Sequence, residues 1–86
     1  MAVTIEQLET LRPGDYIEAS ELYFRVIRIN TKAETLTMTR PFSKGERAVG
    51  ITTFNYNDKI AKIDNKYWNI IRQNSPKAKG IERKVK

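Results

Sequence analysis

A mainly β fold with one short N-terminal helix is predicted by three features of this chain. Apolar residues recur at clean helical spacing near the N-terminus, at Ile5, Leu8 and Leu11. From Asp15 onward the chain breaks into short runs rich in β-branched and aromatic residues, of which Leu22 to Ile29 (LYFRVIRI) is the longest. Turn-forming residues such as Pro13-Gly14, Asn30-Thr31 and Asn57-Asp58 separate these runs.

The helix is expected over 4–11. Thr4 followed by Gln7 is a capping-box pattern, and Pro13-Gly14 stops the helix. Strands are expected at about 15–19, 22–30, 35–40, 48–56, 60–63 and 67–72. In the second strand Phe24 and Val26 share one face while Ile27 and Ile29 share the other, so a bulge, or a bend that covers both faces, is expected. Leu36 and Met38 alternate with Thr35, Thr37 and Thr39, which reads as one buried face and one threonine-covered face. Residues 41–47 (PFSKGER) read as a loop, and Gly50 weakens the strand that follows or marks a bend in it.

Residues 58–74 admit two readings. Ile60, Ile63, Tyr67, Ile70 and Ile71 have helical spacing, but isoleucines are poor helix formers and Asp64-Asn65 favours a turn, so a hairpin is preferred. Trp68 and Ile70 enter the core on either reading. The segment 76–86 (PKAKGIERKVK) has no sustained periodicity and reads as a disordered basic tail. Five to six short strands with tight turns over 1–75 fit one small, partly open SH3-like barrel. The run Leu11–Ile17 (LRPGDYI) is similar to the start of many SH3-like modules, where a turn launches the first strand.

Charge is sorted along the chain. Residues 1–22 carry five acids and Arg12, residues 23–71 carry nine Lys and Arg against four acids, and residues 72–86 carry six against Glu82. The net charge is +6. A field of this shape favours polyanions, and nucleic acid is the commonest polyanionic partner. With neither cysteine nor histidine, thiol chemistry, thiolate metal sites and a neutral-pH histidine base are excluded. No metal, cofactor or phosphate-cradle motif is visible. No run approaches the roughly 18 apolar residues of a membrane span, and a soluble, cytoplasmic protein is expected.

The strongest candidate constellation is Arg40-Pro41-Phe42-Ser43-Lys44-Gly45-Glu46-Arg47. At a loop tip Phe42 would stack on a base while Arg40, Lys44 and Arg47 neutralise phosphates; alternatively Phe42 folds back to cap the core. Arg25 and Arg28 on the long strand, with Lys32 in the turn beyond, form a patch only if that strand bends. Lys77, Lys79, Arg83 and Lys84 in the tail would follow a phosphate backbone. The leading expectation is a non-enzymatic nucleic-acid-binding module, DNA or RNA, with weak sequence preference. The alternative is a protein-interaction or accessory module, self-association included, with Tyr16, Tyr23, Tyr56 and Tyr67 lining an aromatic groove. A histidine-free ribonuclease stands third.

Overall fold

The computed structural model describes residues 5–19, 21–55 and 68–83. A single helical turn, α1 (Ile5–Leu8), precedes six strands: β1 (Tyr16–Ala19), β2 (Leu22–Asn30), β3 (Thr35–Met38), β4 (Phe42–Ser43), β5 (Thr52–Asn55) and β6 (Trp68–Ile71). The fold is mainly β, as the sequence predicts. All the strand pairs are antiparallel, in the order β5-β3-β2-β1-β6, with β4 also on β2. Among the described residues this sheet does not close into a barrel. No helix there is long and apolar enough to cross a membrane.

The helix is shorter than 4–11 because its end tightens at once. Thr10 donates from both its N–H and its hydroxyl to the Gln7 carbonyl, at 3.1 and 2.6 Å. Pro13 then bars Arg12 from helical geometry. The Asp15 N–H donates to the Arg12 carbonyl at 3.0 Å, with Gly14 at φ 99°, the arrangement of a type II turn. Asp15 is buried, and its carboxylate ties this turn to the end of β6. One oxygen accepts the Arg12 N–H at 3.0 Å and the Arg72 guanidinium at 3.3 Å, and the other accepts the Gln73 N–H at 3.1 Å.

The irregular β2 pattern has the two causes the sequence suggests. Its register shifts between Val26 and Arg28, so the strand carries a bulge. Its first half pairs β1 and β4, while its second half pairs β3. Both sides of the sheet are also covered. Adjacent residues on a strand face opposite ways, yet Ile17 belongs to a core with Leu8, Leu11, Val26, Leu36 and Met38, whereas Tyr16 belongs to a second core with Phe42, Ile71 and Ile81. Ile70 and Ile71 divide between these cores in the same way.

Several expectations are corrected. Thr37 and Thr39 are buried rather than a solvated threonine face, their hydroxyls engaged within the sheet, that of Thr39 by the Arg25 N–H. Thr37 satisfies its hydroxyl against Thr53 at 3.1 Å. Residues 48–51 lie outside any strand, and Phe42–Ser43, expected in a loop, pair with Tyr23 and Leu22. Residues 68–71 are strand rather than helix, and Ile70 packs on the first core. The expected strand at 60–63 and the side chain of Trp68 lie outside the described residues.

The largest correction concerns the tail. Residues 76–83 are docked, not disordered. A 3-10 turn (Pro76–Ala78) leads to Ile81, which is 1% exposed and closes the second core. One buried isoleucine, one buried carboxylate and a short parallel bridge hold this strap against the sheet.

Candidate nucleic-acid interface

Two segments distant in sequence meet to form the site: the stretch after β3 and the C-terminal strap. Thr39 ends β3 by donating its N–H to the Arg25 carbonyl and accepting the Arg25 N–H on its hydroxyl, both at 3.0 Å. Pro41 has no N–H and interrupts the ladder. Phe42 then resumes it as β4, its ring buried against Tyr16 and Tyr23 with centroids 6.5 and 6.2 Å away. Beyond it a tight turn brings the Glu46 N–H to the Ser43 carbonyl at 3.0 Å.

The strap is hydrogen-bonded onto that turn. Gly45 donates its N–H to the Ile81 carbonyl and Arg83 donates its N–H to the Glu46 carbonyl, each at 2.8 Å. This sets Arg83 beside Glu46 and Arg47. Together with Pro41 and Val49 they line an open groove of about 600 Å³.

Glu82 locks the strap from beneath. Its side chain is 5% exposed; one oxygen accepts the Tyr16 hydroxyl at 2.9 Å and the other pairs with the Arg25 guanidinium. Burial, then the hydrogen bond to Glu82 and the carboxylate's negative charge, push the Tyr16 phenol up to about 12, against a small opposing effect of Arg25. Burial and the hydrogen bond to Glu18 raise Tyr23 as well. Both rings are therefore neutral phenols at physiological pH. Because Arg25 is committed to Glu82, it belongs to the lock and not to an outward patch.

The cations above the lock are uncommitted. Arg40, Lys44, Arg47 and Arg83 are exposed, and none has a side-chain hydrogen bond or ion pair among the described residues. Arg40 donates its N–H to the Val49 carbonyl at 3.0 Å, and its side chain lies across Gly50. The neighbouring acid, Glu46, accepts the Ser43 N–H at 2.9 Å. Two of these cations, Arg47 and Arg83, thus line the groove, with Arg40 and Lys44 in the adjoining segment and one acid already engaged with the backbone.

The structure gathers only some of the residues singled out from the sequence. Arg40, Lys44, Arg47 and Arg83 share one corner. Arg28 pairs opposite Thr37, about 16 Å along β2 from the Phe42 pairing at roughly 3.3 Å per residue, and Lys32 lies in the turn beyond it. Lys79 lines a neighbouring groove with Tyr16, Arg25 and Glu82, and Lys77 lies near Asn69 and Ile70. Lys84 is outside the described residues. Phe42, offered as a stacking ring, is 4% exposed and has no face for a base; it takes the capping role. Of the tyrosines expected in an aromatic groove, Tyr16 is buried and Tyr23 half-buried, while Tyr56 and Tyr67 lie outside the described residues.

Sequence reasoning missed Val49 and Ile51, 58% and 71% exposed on either side of Gly50. Gly50 reads as weakening the strand or marking a bend, and here it adopts φ 77°; that reading did not extend to the exposure of its two neighbours. Among the described residues no group of three or more metal-ligating side chains converges. No family model matches this chain, and no curated protein or solved structure matches it significantly.

Proposed function

We propose that this protein is a non-enzymatic nucleic-acid-binding module of the cytoplasm, built on an SH3-like, partly open sheet and having weak sequence preference. The observation that carries the reading is that Arg47 and Arg83, distant in sequence and both unpaired among the described residues, line one groove, with Arg40 and Lys44 exposed in the adjoining segment. Holding like charges together raises their mutual repulsion, and a polyanion relieves it by replacing condensed counterions with fixed cations. Because these contacts are to phosphates rather than to base edges, they position the nucleic acid without reading it.

The bulged β2, shared between two halves of the sheet, supports the SH3-like description. The chemistry beneath the groove favours binding over RNA cleavage. Tyr16 is buried and its ionisation is driven far above neutral pH, so it serves as a donor to Glu82 rather than as a base.

Fluorescence anisotropy with labelled single-stranded DNA, duplex DNA and RNA, each at about 50 and 200 mM salt, tests the reading. Affinity should collapse between the two salts, and the RNA should remain intact after long incubation. No binding to any of the three at low salt would refute the proposal, and cleaved RNA would refute its non-enzymatic part.

A further inference from the structure

Three large hydrophobic side chains are exposed among the described residues, and two of them, Val49 and Ile51, flank Gly50. Gly50 makes that arrangement possible. Its φ of 77° is left-handed, and a Cβ there would lie 2.7 Å from the Arg40 Cδ, so the backbone passes directly under the arginine side chain. Val49 lines the same groove as Arg47 and Arg83. An isolated exposed aliphatic residue is ordinary. An exposed pair either side of a glycine, with Arg40 lying over that glycine and Val49 sharing a groove with Arg47 and Arg83, sets apolar side chains beside unpaired cations.

Resting on the nucleic-acid reading above, we infer that the ligand is duplex DNA and that Val49 and Ile51 wedge into a base step from the minor groove. The cations require an anionic occupant, which duplex and single strand both supply. The apolar pair distinguishes them. Proteins that hold single strands stack bases on exposed aromatic rings, and among the described residues Phe42 and Tyr16 are each 4% exposed and Tyr23 is half-buried. Aliphatic side chains offer no stacking platform. They do part adjacent base pairs from the minor groove and kink the duplex by roughly 20–90°, with flanking cations on the phosphates. The wedge contributes its apolar burial only once the DNA has bent, so flexible pyrimidine–purine steps should bind best.

The test uses the full chain, a duplex of about two helical turns labelled at both ends, the corresponding single strand, and vesicles containing phosphatidylserine. Energy transfer between the duplex ends should rise on binding, and the duplex should bind more tightly than the single strand. The exposed pair can be changed without touching either core, so Val49→Ser with Ile51→Ser should keep the thermal melt. That variant should lose the energy-transfer change, and its duplex affinity should fall roughly 10–100-fold, the worth of one or two buried aliphatic groups. Its salt slope should be unchanged, because the cations remain. Salt-sensitive binding with no bend, single strand bound as tightly as duplex, or a variant as strong as wild type would overturn the wedge and leave the nucleic-acid reading standing. Tighter binding to the vesicles than to the duplex would overturn the inference in favour of an anionic lipid surface. Failure to bind any nucleic acid would overturn both readings together.

Discussion

Removing one hydroxyl, by Tyr16→Phe, isolates the lock that holds the strap in place. The phenol of Tyr16 donates to Glu82 at 2.9 Å while its ring stays packed with Phe42, Ile71 and Ile81. Phenylalanine keeps the packing and deletes a hydrogen bond to a charged acceptor, worth about 1.5–3 kcal/mol. The pH dependence provides a second route to the magnitude. Tyr16 is raised from 10.0 to about 12 in the folded protein, so the native state holds this proton more tightly than the unfolded chain does. The stability that results is fully present below pH 10 and is lost as pH rises through 12. Two pH units of displacement correspond to about 3 kcal/mol, and because burial is the largest cause and the hydrogen bond to Glu82 the second, this bounds the bond's share from above. Urea unfolding of both proteins, followed from pH 8 to 12, should show the variant less stable by about 1.5–3 kcal/mol at pH 8. That gap should close between pH 10 and 12. Taking the difference cancels lysine titration, Tyr23 and changes in net charge. A gap that stays constant with pH, or no gap at pH 8, would refute the lock.

Two further changes probe the strap and Gly50. Ile81→Ala empties the second core and should destabilise the protein by about 2–5 kcal/mol, lowering the melting temperature by at least about 10 °C; a melt unchanged within a few degrees would mean the strap is not docked. Gly50→Ala places a side chain at φ 77° against Arg40 and should cost about 1–2 kcal/mol in urea unfolding while shifting the Arg40 side-chain resonances. An unperturbed Arg40 would count against that close approach.

Local patterns made the fold class legible, while the pairing of distant segments did not show in them. Pro13-Gly14 announced the turn before β1, and Asn30 announced the β2–β3 turn, where its side chain accepts the N–H groups of Lys32 and Ala33 at 3.1 and 3.0 Å. The split faces of β2 were visible as imperfect alternation, and a bulge with two-sided cover resolved them. The threonines of β3 misled because alternation does not report partners on other strands, and here Thr53 and Arg25 engage the hydroxyls of Thr37 and Thr39. Phe42 was ambiguous for a related reason: its burial depends on Ile81, which arrives from the far end of the chain.

The tail shows the same limit in sharper form. A lone isoleucine among lysines has no period and reads as disorder, yet one fully buried aliphatic side chain and one buried carboxylate dock it. In retrospect Ile81-Glu82 stands out, because Glu82 is the only acid of 76–86 and sits beside its largest aliphatic residue. The candidate site inherited this blindness. Arg40, Lys44 and Arg47 could be grouped from their spacing, whereas Arg83 joined them only through backbone hydrogen bonds to the turn.

The most direct test of the central claim is the salt dependence of duplex binding by wild type and by the paired variant Arg47→Gln with Arg83→Gln. With four phosphate-neutralising cations the slope of log K against log salt should be about −3.5 or steeper, and the variant should lose about 2 from it. A shallow wild-type slope, or a slope the variant leaves unchanged, would contradict the assignment of this groove as the polyanion site.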